Sequence, residues 1–69
     1  MTDTWIQMAV ADVQPGDRVR VGGHEALVSR IEPSFMGMDA MLAFIEDTPT
    51  RWFKMPMPKT GEVEVQRPA

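Results

Sequence analysis

Sixty-nine residues and 7.8 kDa make one domain with little interior, because a chain of this mass buries roughly 60% of its unfolded surface, near the lower limit for folding alone. Cysteine is absent, which excludes disulfide staples, a thiolate nucleophile and cysteine-ligated zinc. Ten acidic and seven basic residues leave a net charge of −3 and a pI near 4.9, the reverse of the balance usual in a nucleic-acid module.

Met1 to Trp5 carries Asp3 where a signal peptide carries basic residues, and no apolar run long enough for a signal core or a membrane span follows. The expectation is a cytoplasmic chain with no membrane attachment. Trp5 to Val10 is an opening strand or a short helix, and the strand is preferred because tryptophan, isoleucine and valine are poor helix formers. Gln14-Pro15-Gly16-Asp17 is a turn: proline presets φ and glycine accepts a positive one. Arg18-Val19-Arg20-Val21 alternates charged and apolar with period two, the pattern of a half-buried strand with the valines inward.

Gly22-Gly23 is a hairpin connection into Glu25–Glu32. There Val28 and Ile31 stand three apart, so a bulge or bend is expected between them. Pro33 ends the segment. Between Met38 and Asp47 a helix competes with a strand, since Asp39-Ala40-Met41-Leu42-Ala43 favours helix and Asp39 could cap it. The short flanking loops favour the strand. Arg51-Trp52-Phe53-Lys54-Met55 is aromatic and proline-bounded, a strand ending before Pro56. Glu62–Arg67 alternates again and closes with Pro68. The whole chain, with its core over about 5–67, is expected to be one mainly β domain of about five to six short antiparallel strands.

The stretch Val13–Glu32, with its Gly16-Asp17 turn, its Val19-Arg20-Val21 strand and its Val28-to-Ile31 ending, resembles the opening of an SH3-like small β-barrel. Ala43-Phe44-Ile45-Glu46-Asp47 and Glu62-Val63-Glu64-Val65 are similar to later strands of such barrels, so the resemblance covers about three quarters of the chain. More narrowly, the chain resembles small barrel proteins of actinobacteria and their phages. The resemblance implies a closed or nearly closed barrel. It implies no activity, because the fold serves many unrelated functions. The KOW-type RNA-binding members carry a longer glycine-punctuated insertion where this chain has Gly22–Leu27, so none of their binding residues transfers.

No constellation supports a reaction, and the expectation is a non-enzyme without cofactor or metal. His24, the sole histidine, lies at a hairpin turn without a nucleophile and orienting partner in view. The Asp17 carboxylate is expected to bond its own turn backbone. Neither a phosphate loop nor a dinucleotide fingerprint occurs. The methionines stand out: Met36, Met38 and Met41 form one group, Met55 and Met57 a second.

Three readings of these methionines compete. Thioethers can fill an irregular small core. Alternatively Phe35, Met36, Met38, Trp52, Met55 and Met57 form an exposed patch for a protein partner or a second copy of the chain, since methionine and tryptophan are enriched at interfaces. Copper(I) bound by thioethers is a third reading, disfavoured in an acidic chain lacking cysteine. The leading expectation is thus a non-catalytic interaction module. Its rival is a nucleic-acid-binding barrel, in which Arg18, Arg20, Arg30, Arg51 and Lys54 share one sheet face with Trp52 or Phe53 between them. Against that rival, outward strand positions are commonly charged merely to discourage edge pairing.

Overall fold

The computed structural model describes residues 4–67, which form seven strands and one short 3-10 turn, with no α-helix among them. The strands are β1 (Ile6–Ala9), β2 (Arg18–Val21), β3 (His24–Leu27), β4 (Arg30–Glu32), β5 (Met41–Thr48), β6 (Arg51–Pro58) and β7 (Glu62–Gln66). They make two antiparallel sheets, ordered β1-β7-β2-β3 and β4-β5-β6. The mainly β expectation holds, with seven strands in place of five or six. A strand, not a helix, occupies the 38–47 segment.

Two turns set the first sheet. Asp17 N–H donates to the Gln14 carbonyl at 3.1 Å, and Gly16 at φ 98° takes the third position that a proline-led turn of this hand requires. Val21 pairs with His24, so Gly22 and Gly23 form a two-residue hairpin loop, and both have the positive φ that matches strand twist.

The expected bend falls at Val28-Ser29. Val28 N–H donates to the Asp17 carbonyl at 2.9 Å, still in the first sheet. Ser29 N–H then donates to the Ile45 carbonyl at 2.7 Å in the second. Ile45 is also the register partner of Arg30, so two residues face one, as at a bulge.

The barrel is not closed. Beyond Ser29 no backbone ladder joins the described strands of the two sheets, and side chains bridge the splayed corner. Glu46 Oε1 accepts Leu27 N–H at 3.0 Å, Arg51 Nη2 donates to the Glu25 carbonyl at 2.9 Å, and Ser29 Oγ accepts Asp47 N–H at 2.9 Å. The outer edge of β3 therefore ends in a carboxylate and a guanidinium, themselves 3.7 Å apart.

The core lies between the sheets, where Val10, Val19, Val28, Phe44, Met55 and Val65 are buried. Alternation along β5 and β6 sorts the side chains of the second sheet. Leu42, Phe44 and Glu46, opposite Met57, Met55 and Phe53, face inward. Ala43, Ile45 and Asp47, opposite Pro56, Lys54 and Trp52, face outward. β6 runs on through Pro56 to Pro58 rather than ending at Met55. Both prolines share the parity whose backbone groups turn away from β5, so neither interrupts the ladder.

Candidate functional site

The outer face of the β4-β5-β6 sheet carries apolar residues at outward positions. Ile45 points outward yet is 2% exposed, and Ala43 beside it is buried too. Two ion pairs stand over this strip: Lys54 Nζ meets Glu32 at 2.7 Å from either side of β5, and Arg30 Nη1 meets Asp47 at 2.9 Å. Phe35 reaches in from the β4–β5 loop, with the Lys54 ammonium 5.5 Å from its ring centroid. Long side chains thus cover apolar surface with their stems while their charges stay in contact with water.

Around this neutral roof the apolar groups are open. Trp52 is 60% exposed at the end of β6 beside the Pro49-Thr50 turn, and Pro56 and Pro58 are exposed on the same face. In the β4–β5 loop Met38 is 48% exposed and Met36 84%.

Met36 is also the one non-glycine residue with positive φ among those described, at 52°, followed by Gly37 at 79°. Met38 N–H donates to the Phe35 carbonyl at 2.9 Å, making Met36-Gly37 a tight turn with two left-handed residues. Asparagine or glycine normally holds the first of these positions. A methionine there is strained and leaves its side chain in water.

The six patch candidates divide. Phe35 is half-buried against Lys54, while Met36, Met38 and Trp52 are exposed. Met55 and Met57 leave the group: Met55 is a core residue at 8% exposure and Met57 packs against the core from the inner face. Their parity on β6 is opposite to that of Trp52. Sequence reasoning had not joined Pro56 and Pro58 to the patch, and alternation carried through the prolines would have found them. Ile6 on β1, 46% exposed, was missed as well and lies on the other sheet.

The five basic candidates do not share a face. Arg18 and Arg20 lie on the outer face of the first sheet, Arg30 and Lys54 on that of the second, and Arg51 at the splayed corner. Arg20 is held by Glu64 at 3.1 Å and stacks 4.3 Å from the Trp5 ring centroid. Its hydrogen bond to Glu64 lowers the Glu64 carboxyl below its ordinary value. With Arg30 on Asp47, Arg51 beside Glu46 and Lys54 on Glu32, four of the five stand against carboxylates.

Asp17 does bond its turn, accepting Gln14 N–H at 2.9 Å. It also receives Arg67 in a two-pronged pair at 3.0 and 2.9 Å, and Arg67 reaches the Asp12 carbonyl at 3.3 Å. The Arg67 hydrogen bond holds the buried Asp17 carboxyl below the usual carboxylate range; burial opposes this and the Gln14 N–H assists it. This is a clasp between the end of β7 and the turn before β2. His24 is exposed on its hairpin. Among the described residues no three His, Cys, Asp or Glu side chains converge as a metal site would require, and no helix is long and apolar enough to cross a membrane.

Compared with family models, curated proteins and solved structures, the chain matches none.

Proposed function

We propose that this protein is a non-catalytic interaction module that docks a protein partner on the outer face of its β4-β5-β6 sheet. The single observation carrying the proposal is Met36, held at φ 52° with its thioether 84% exposed. A strained backbone that presents an apolar side chain to water favours contact with something outside the molecule over internal stability. Met38 stands in the same loop and Trp52 at the other end of β6, six residues before Pro58; tryptophan and methionine are side chains that anchor protein interfaces. The small two-sheet scaffold by itself carries no activity.

Panning a random peptide library against the protein tests the proposal without a known partner. Most selected peptides should lose binding to Trp52→Ser and keep it with Arg18→Ser on the other sheet. Peptides indifferent to Trp52→Ser would overturn it.

A further inference from the structure

The two sheets have four edges, β1, β3, β4 and β6, and three of them refuse a further strand. On β6, Pro56 and Pro58 remove donors from the free side. On β3, Arg51 and Glu46 occupy the Glu25 carbonyl and the Leu27 N–H. β4 has only Ile31 turned away from its ladder with β5, and Pro33 follows the strand. β1 differs. Val10 N–H donates to the Gly61 carbonyl at 3.0 Å, so stepping back by twos makes Met8–Val63 and Ile6–Val65 the hydrogen-bonded pairs. Gln7 and Ala9 therefore aim their N–H and C=O groups away from β7. Both residues are exposed, and no group among the described residues meets those donors and acceptors.

We infer that this edge takes an extended segment of a partner polypeptide as a fifth strand of the first sheet, with apolar side chains opposite Ile6 and Met8 and a lysine or arginine opposite Ala9. Ile6 lies on the core side, opposite the fully buried Val65, yet is 46% exposed, and Met8 is half-buried. Apolar side chains on an added strand cover both. On the outer side Ala9 is too short to screen Glu62, its register partner. The Glu62 carboxylate accepts Gln7 Nε2 at 2.7 Å and has no cation among the described residues. The second sheet shows the reach required, since Lys54 on β6 meets Glu32 on β4 at 2.7 Å across the intervening β5. A basic side chain on the added strand crosses β1 to Glu62 in the same way. Two donors and two acceptors make the site weak, with a Kd on the order of 1 mM, so it escapes the panning that selects peptides for the Trp52 face.

Amide NMR of the isotope-labelled protein, titrated with the capped peptide Thr-Lys-Val-Thr-Val-Thr to about 5 mM, tests it. Laid antiparallel, the peptide sets its lysine opposite Ala9 and its valines opposite Met8 and Ile6. The Gln7 and Ala9 amides should shift and exchange more slowly with solvent, while the Met8 amide, already bonded to Val63, moves less. Glutamate in place of the peptide's lysine should weaken binding about fivefold, as reversing one exposed charge pair does. Ala9→Pro should abolish binding and keep the fold, since Ala9 already has φ −60° and its N–H serves no ladder. Should Ala9→Pro unfold, the Gln7 and Ala9 exchange rates in the parent decide. Trp52→Ser should bind as the parent does. No response at Gln7 and Ala9 at the highest concentration overturns the inference and leaves docking on the Trp52 face untouched. Equal binding of the glutamate peptide overturns it too, as does binding that survives Ala9→Pro and is lost with Trp52→Ser.

Discussion

Replacing Met36 with asparagine should make the protein more stable, although it removes an apolar side chain. A left-handed backbone costs an ordinary L-residue about 1–2 kcal/mol, and asparagine visits that region readily through its own local hydrogen bonds. Relief of about 1 kcal/mol is the expected gain. Against it stands the little burial the thioether has: at 84% exposure, about a sixth of the 1.5–3 kcal/mol of a fully buried methionine, or roughly 0.4 kcal/mol, is lost.

The net is about 0.6 kcal/mol in favour of Met36→Asn. For a domain of this size that raises the melting temperature by about 2–5 °C. Met36→Ala, which loses the thioether and keeps the strained turn, should melt at or slightly below the parent. Thermal unfolding followed by circular dichroism, with urea midpoints as a check, reads both variants. An asparagine variant that melts below the parent would refute the reasoning, since it would mean that the Met36 side chain holds the fold together.

Phe44→Ala should cost about 3–5 kcal/mol, from about a third to all of the ~3–10 kcal/mol available to 69 residues, so its urea midpoint by circular dichroism should fall well below the parent's. Asp17 has a folded-state pKa below its unfolded value, so the unfolded chain binds the extra proton. The stability from its clasp is fully present above about pH 4 and is lost as pH falls through the folded value. Asp17→Asn should flatten the acid limb of a urea-midpoint profile, and Asp17→Ala should cost about 2 kcal/mol at neutral pH through three lost hydrogen bonds. Pro56→Thr with Pro58→Thr should leave the monomer fold intact and open the β6 edge, seen as thioflavin-positive aggregation at concentrations where the parent stays clear.

Much of the fold was legible because local chemistry and global structure agree. The valines of Arg18–Val21 and Glu62–Gln66 alternate, and the Pro15-Gly16 and Gly22-Gly23 turns use the residues their backbone angles demand. The helix–strand ambiguity over 38–47 had a physical source. Leu42 to Glu46 are buried on both faces of β5, so no alternation marks the strand, and the groups that cover its outer side come from elsewhere in the chain.

The patch was half legible. Reading Pro56 as a terminator hid the parity that separates Trp52 from Met55 and Met57. The strain at Met36 requires knowing that Phe35 and Met38 pair across it. The Asp17–Arg67 clasp joins residues fifty positions apart, and the charge pairing that disperses the arginines depends on register between strands. Neither leaves a local trace.

The account depends on the outer sheet face being surplus to folding. Urea unfolding of Trp52→Ser beside Met55→Ser measures this directly, since the two residues sit three apart on one strand and point to opposite sides. Trp52→Ser should unfold within about 0.5 kcal/mol of the parent, while Met55→Ser should lose at least about 2 kcal/mol. Equal losses in the two variants would contradict the account.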